Sequence, residues 1–412
     1  MVVSLNDLRN DNEVIDIFCN LASIPSPSLK EEKVIEWILN FCKDNKISAE
    51  KDPYGNIYIK VPATDTTKES LMLSAHMDVV GDDSEIKIEL DGDFLKANNR
   101  TLGADDKVGV ACALKLAKDI LNNNMAHGGL EIVFTRDEES SMSGVKHIEY
   151  EKINSKYILV CDADKLGQLQ ISGAGYTNAK LTVKALKGGH SGIDIGDKDR
   201  LNAAKLITEL LADFPQGQFY ADETGTITSC NLGAIIGGGI QNAVANIVDS
   251  NIKSNDYITE IIDNSATNII NTFAAATYSI RSASSLKEEE LKNIMISLVQ
   301  KFNEKYDGLA VAELNFSIHL LPFEKSNNEK IESAHKKAAL TVGINSEISS
   351  FHAGAETHIY CRNKNAKGEV LIPSLIGLAD IYNMHSAMEK VDWKTLVKGS
   401  ELINNIFIMF NS

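Results

Sequence analysis

The sequence predicts an α/β protein with a mostly parallel central sheet, interrupted by an inserted α+β domain. Three observations carry this. Short apolar runs, Leu71-Met72-Leu73, Ile132-Val133-Phe134 and Ile158-Leu159-Val160, are strand-sized and alternate with helix-period segments. The texture changes near residue 175 to longer alternating strands and amphipathic helices. After about 322 the α/β pattern resumes. These breaks divide the chain into 1–174 with 323–412, and an inserted 175–322.

The elements follow in order. Glu13 to Leu21 reads as a short helix, broken by Ile24-Pro25-Ser26-Pro27. Ser28-Leu29-Lys30-Glu31 has the form of a capping box that opens a helix with Val34, Ile35, Ile38, Phe41 and Cys42 on one face. Asn56 to Val61 and Leu71 to Ala75 read as strands. Val108 to Leu121 reads as a helix, Leu130 to Thr135 as a strand, Gly144 to Tyr150 as a short helix and Tyr157 to Cys161 as a strand. In the insert, strands are expected at 178–185, 229–236, 243–252, 275–281 and 313–321. Helices are expected there at 200–214, 256–271 and 287–306. Helices at 328–342 and 393–406 close the chain.

Bulk composition narrows the function classes. The chain has 412 residues, enough for two domains, and a net charge of −16 from 57 acids against 41 bases. That charge disfavours nucleic acid and anionic membranes as partners. Six scattered cysteines without a CxxC pair fit a reducing compartment. The N-terminus lacks the form of a secretory signal, and no apolar run is long enough to span a membrane. A cytoplasmic protein is expected.

The chemistry lies in patches that follow the apolar runs. His76-Met77-Asp78 follows the first, Ala104-Asp105-Asp106-Lys107 opens a helix, Asp137-Glu138-Glu139 follows the second strand and Asp162 the third. His385 follows the stretch 371–378. Each has a plain alternative: a structural histidine, helix capping by Asp105 or Asp106, a solvated acidic turn, turn-forming Asp162 and Asp164, a surface histidine. Ligands of open α/β sheets gather at the carboxyl ends of the strands. Carboxylates and imidazoles converging there suit divalent cations, and three adjacent acids repel one another unless solvated or neutralised.

HMDVV, LGADDKVGVA, TRDEESSMSG, VCDAD and GGHSG, in this order, resemble the co-catalytic zinc peptidase superfamily of peptidase T, the aminoacyl-histidine dipeptidases, carboxypeptidase G and aminoacylase. The resemblance spans essentially the whole chain. It implies a zinc-peptidase catalytic domain with an inserted lid and dimerisation domain, acting as a homodimer in peptide catabolism. It also implies two divalent metal ions per chain, zinc in the first place, with manganese or cobalt as alternatives.

Carried over residue by residue, His76 and Asp162 bind one metal, Glu139 and His385 the other, and Asp105 bridges both. Asp78 orients the His76 ring. Glu138 is the general base toward a water shared by the metals. His190, in GGHSG, resembles the inserted-domain histidine that stabilises the tetrahedral intermediate, usually from the partner subunit. Asn242 and Arg281 hold the substrate's backbone and terminal carboxylate, although outside the resemblance Arg281 reads as a surface salt bridge and His190 as a turn residue.

The stretch Phe351-His352-Ala353-Gly354-Ala355-Glu356 is closer to the aminoacyl-histidine dipeptidases, while LGADDKVGVA and the chain length are closer to peptidase T. His352 and Glu356 are expected to face the substrate pocket. The expected activity is cleavage of short peptides, Xaa-His dipeptides first. The alternatives are a tripeptide aminopeptidase, an N-acyl amino acid deacylase and a non-catalytic peptide-binding homologue.

Overall fold

The computed structural model describes residues 4–122, 125–238, 259, 261–263 and 265–412. The chain divides into two compact units, Met1–Gly173 with Phe323–Ser412, and Ala174–Pro322.

The first unit is built on an eight-stranded sheet. In spatial order its strands are Ser48–Lys51, Ile57–Val61, Leu130–Thr135, Leu71–His76, Tyr157–Ala163, Ile372–Gly377, Gln168–Gly173 and Glu347–Phe351. The four central strands run parallel, and antiparallel pairing enters on either side of them. Every residue of Leu71–His76 and of Leu130–Thr135 is buried. A parallel sheet covered on both faces demands this, and it explains why apolar residues run consecutively through Leu71-Met72-Leu73 and Ile132-Val133-Phe134 rather than alternating.

One face joins the main core. Leu71, Leu73, Ile132 and Phe134 meet the helices Glu13–Ala22, Ala104–Leu121, Glu329–Val342 and Trp393–Phe410 there. The other face, with Met72, Val133, Ile158 and Val160, closes a smaller cluster around Tyr360 and Leu371. A separate four-stranded antiparallel sheet holds Ile88–Asp91, Phe94–Ala97, Ile381–Tyr382 and Lys390–Asp392.

The second unit is a five-stranded antiparallel sheet, in order Gly217–Ala221, Ile227–Gly237, Phe273–Ser282, Gly175–Ala185 and Ala310–Leu320. Leu181, Val183, Ala276 and Ile280 alternate onto one face. There they pack with Leu206 and Leu210 of helix Ala203–Ala212 and with Leu291 and Met295 of helix Ser285–Lys305. Alternation along such strands leaves the opposite face to polar side chains.

Some local expectations are corrected. Ser28 to Glu31 is not a capping box: helix Glu32–Asp44 begins after Glu31 without a side-chain cap. The Ser28 hydroxyl donates instead to Asp78 Oδ2 at 2.7 Å. The Glu31 carboxylate accepts the N–H groups of Leu29 (2.9 Å) and Asp137 (3.0 Å) and pairs with Arg136. Buried partners distant in sequence outcompete the local cap. The expected short helix at 144–150 is a turn of helix, Ser143–Lys146, followed by a 3₁₀ turn, Tyr150–Lys152. The end of the expected 256–271 helix is a strand, Ile269–Ile270, paired with Gly189–His190. The expected strand at 243–252 lies outside the described residues. Several strands went unread because they are short and polar at sheet edges, such as Ser48–Lys51 and Ile88–Asp91. No described helix is long and apolar enough to cross a membrane.

One core feature makes stability depend on pH. His335, in helix Glu329–Val342, is fully buried, with Nδ1 on Ser346 Oγ (2.9 Å) and no partner for Nε2 among the described residues. Burial pushes its imidazole down to about 4. Unfolding restores the ordinary value near 6.5, so the unfolded chain binds the extra proton. The stability that neutral His335 contributes is therefore complete above pH 6.5 and is lost as pH falls toward 4. Between pH 7 and 5 it should fall by about 2 kcal/mol. Urea unfolding at both pH values should show this loss in the wild type and a smaller one in His335→Leu; parallel losses would contradict it.

Candidate functional site

Three neighbouring parallel strands deliver the site. In register, His76 pairs with Thr135 and Ser74 with Val160, so His76, the Asp137–Glu139 turn and Asp162 emerge together at the carboxyl ends. Asp105 arrives on helix Ala104–Leu121, whose first residues, Asp105 and Asp106, are not yet helical. The turn before it needs glycine: Gly103 has φ +77°, and a Cβ there would lie 2.7 Å from Val79 Cγ1. Gly109 lets the helix approach the sheet, since a Cβ would meet Asp106 Oδ1 at 2.4 Å and Cys161 Cβ at 2.7 Å. His385 arrives on the loop between Ile381–Tyr382 and Lys390–Asp392.

Asp105 sits at the centre. Its Oδ1 is 3.0 Å from His76 Nε2, which is also 3.6 Å from Asp162 Oδ1. Its Oδ2 is 3.0 Å from His385 Nε2, which is 3.1 Å from Glu139 Oε2. One carboxylate thus faces two imidazole–carboxylate pairs, one with each oxygen. Ligating atoms of His76, Asp105 and Glu139 lie within 4.8 Å of one another, as do those of His76, Asp106 and Asp162.

The electrostatics are strained in the way a cation relieves. Burial pushes Asp162 up to about 8 and Glu139 up to about 7, and raises Glu138 well above the carboxylate range. Burial opposes charge on His76 and Asp105 too, but their mutual hydrogen bonds, with His385 on Asp105, outweigh it. His76 is held well above its ordinary value and Asp105 below. The Asp105 hydrogen bond comes first in raising His385, to about 9. Glu139 Oε1 is buried without a hydrogen-bond partner among the described residues. An orphaned buried oxygen within a nitrogen-and-oxygen donor set fits a divalent cation of the zinc type.

Asp78 ties the site together. Its backbone carbonyl lies 2.9 Å from His76 Nδ1, closer than its own Oδ1 at 3.5 Å. The ring proton on Nδ1 leaves Nε2 to face Asp105. The Asp78 carboxylate accepts the backbone N–H of Glu138 at 2.9 Å and of Glu139 at 3.1 Å. Asp137, at φ +55°, accepts the hydroxyls of Ser140, Ser141 and Ser143.

Asp105, Glu138, Glu139, Asp162 and His385 line a groove of about 320 Å³, with Phe351 and Ala353 to Ala355 also on its wall. His352 is exposed beside that wall. Glu356 does not face the groove, contrary to expectation. It is 1% exposed, and its Oε2 accepts the Ser74 hydroxyl at 3.3 Å. Ala355 and the start of helix Thr357–Tyr360 turn its side chain inward.

In the second unit, His190 is exposed. Its Nδ1 accepts N–H groups from Gly192 (3.1 Å) and Ile193 (3.3 Å), which puts the ring proton on Nε2. The Arg281 guanidinium stacks 4.6 Å from the centre of the Tyr176 ring rather than in a salt bridge among the described residues. Asn242 lies outside the described residues.

Beyond the helix cap offered for Asp106, sequence reasoning gave no role to two carboxylates. Asp106 is buried and accepts the His76 N–H (3.3 Å) and the Gly109 N–H (3.0 Å). Glu389 is buried against the Asp105 turn. The doubled Asp105-Asp106 was the only signal for the first, and its position four residues after His385 the only one for the second.

A sequence model of peptidase family M20/M25/M40 matches residues 72–408. The cytosol non-specific dipeptidase of Escherichia coli is 27% identical over 394 residues, covering 88% of this chain and 76% of that protein. The crystal structure of the aminopeptidase PepT of Bacillus cereus superposes with a TM-score of 0.78 at 20% identity, over 100% of both chains. A dinuclear metal-binding M20 peptidase of Bacillus subtilis superposes with a TM-score of 0.66 at 11% identity, over 98% of this chain and 99% of that one. The strand-end cluster and the span of the match lead to one conclusion: the chain belongs to peptidase family M20/M25/M40 and is a metallopeptidase, a hydrolase acting on peptide bonds.

Proposed function

We propose that this metallopeptidase cleaves short peptides, Xaa-His dipeptides first among them, at two divalent cations. His76, Asp105 and Asp162 would hold one, and Asp105, Glu139 and His385 the other. The observation that carries the reading is the two-sided Asp105 carboxylate, 3.0 Å from an imidazole on each side. Zinc suits this mixed imidazole and carboxylate set, with manganese or cobalt as alternatives. When bound, such a pair supplies Lewis acidity to the scissile carbonyl and to water.

The remaining work falls to side chains. Glu138, beside Glu139 but outside both ligand trios, takes the proton from the attacking water and hands it to the leaving amine. Burial raises its proton affinity above the ordinary carboxylate range, the direction a general base needs. Asp78 fixes the backbone of that base and the ring of His76. His190 would donate from Nε2 to the developing oxyanion. Arg281 would take the peptide's terminal carboxylate, since its fork binds one bidentately, and Asn242 its backbone. His352 would touch the substrate at the groove, whereas Glu356 would support the groove wall from behind.

We place the protein in the cytoplasm, where six free cysteines stay reduced. We assign dimerisation and a lid role to the Ala174–Pro322 unit.

Metal analysis with a substrate panel tests the reading. Two zinc equivalents per chain and hydrolysis of Xaa-His dipeptides are expected. Cleavage of tripeptides alone would move the protein to the tripeptide aminopeptidases. Hydrolysis of N-acetyl amino acids alone would overturn the peptide assignment of the groove.

A further inference from the structure

The loop that carries His385 has few anchors of its own. The His385 side chain is 50% exposed. Asn383 and His385 both adopt positive φ, 55° and 59°, which costs energy in non-glycine residues. Within the loop, Ser386 bonds back to Asn383, and the N–H groups of Met388 and Glu389 return to Ser386. These bonds shape the loop but do not attach it to the rest of the site.

Glu389 makes that attachment. It is 1% exposed, and its carboxylate accepts three consecutive backbone N–H groups from the Asp105 turn. Oε2 takes Gly103 at 2.9 Å, and Oε1 takes Ala104 at 2.9 Å and Asp105 at 3.4 Å. The first N–H groups of a helix have no partners within it, and its positive end favours an anion. A carboxylate is the side chain that only accepts, through two oxygens at once.

We propose that Glu389 is a positioning residue that locks the Asp105 turn to the His385 loop. It thereby sets the geometry of the Asp105–Glu139–His385 metal position and leaves the His76–Asp105–Asp162 position largely untouched. The selectivity follows from what holds each ligand. His76 ends a fully buried central strand and is oriented by the Asp78 carbonyl, and Asp162 ends the neighbouring strand. Neither bonds to Glu389. His385 meets Asp105 and Glu139 through its ring, but its backbone rides on a loop between paired strands, and within that loop Glu389 bonds to the backbone of the Asp105 turn. Asp105 serves both positions, but its Oδ1 stays fixed by the His76 contact at 3.0 Å when the other side loosens.

The inference rests on the two-cation reading above. Its test is titration of the metal-free protein with Zn²⁺ against a chromophoric chelator, wild type beside Glu389→Gln. Glutamine keeps the volume but turns an N–H₂ donor toward backbone donors. One of the two zinc sites should lose about 10- to 100-fold in affinity, the range for partners that orient metal ligands. The other should change less than about threefold.

Equal weakening of both sites, or of neither, would overturn the assignment. A wild type with fewer than two zinc sites would refute the two-cation reading itself, and the inference with it. Should Glu389→Gln not fold, amide exchange in the metal-free wild type decides. Protection of the Gly103, Ala104 and Asp105 amides is expected, and exchange at open-loop rates would overturn the clamp.

Discussion

Glu138→Gln should lower kcat by about 10²- to 10⁴-fold, the usual contribution of a positioned general base, while two metal equivalents remain bound. The geometry separates the two properties. Glu138 belongs to neither ligand trio, whereas its neighbour Glu139 lies 3.1 Å from His385. Glutamine keeps the shape and the backbone N–H that Asp78 holds, so fold and metal content should survive. It has no basic oxygen with which to take a proton. The reciprocal variant, Glu139→Gln, should instead lose metal. Single-turnover kinetics beside metal analysis distinguish the two. Retained turnover in Glu138→Gln would remove Glu138 from its role, and loss of metal in that variant would make it a ligand.

The second large effect is expected at Asp78. Its carboxylate is wholly buried and accepts from the Ser28 hydroxyl and from the N–H groups of Glu138 and Glu139. Asp78→Ala strands these donors. An unpaired buried donor costs about 1–3 kcal/mol, so a stability loss of about 3 kcal/mol is expected where partial rehydration relieves some of them. Activity should fall further than stability accounts for, because the same substitution frees the turn that carries the proposed base, Glu138, and the proposed ligand, Glu139.

Metal affinity should drop about 10- to 100-fold through loss of that support. Measuring kcat under conditions where the variant is fully folded and metal-saturated isolates the positioning effect. A variant that regains wild-type kcat under those conditions would reduce Asp78 to a structural role.

The sequence was most legible where one element carried its own explanation. Leu71-Met72-Leu73 and Ile132-Val133-Phe134 are consecutive apolar residues because both faces of a central parallel strand are buried, so these strands could be read directly. The acids after them were legible as a class, because charge directly after a buried strand requires a partner. Glu31 and Glu356 were not. Ser28 to Glu31 has the letters of a capping box, yet its carboxylate and hydroxyl serve Arg136, Asp137 and Asp78, residues far along the chain. Glu356 shares a motif with exposed neighbours, but the start of a short helix turns it inward to Ser74. Local patterns list the bonds a side chain is able to make, and the tertiary structure decides which of the competing partners arrives.

By itself, the sequence determined the alternation of strands and helices, the inserted segment and the residue types of a metal centre. Hydrophobic period and the cost of burying charge both act over a few neighbouring residues. Only the tertiary structure decided that the two oxygens of Asp105 face different imidazoles. It alone showed that Asp78 holds the backbone of two adjacent glutamates, and that Glu389 reaches back across 284 positions to the Asp105 N–H. Those facts depend on where strand ends and loops meet, and the meeting point is set by sheet order and register rather than by any stretch of chain read alone.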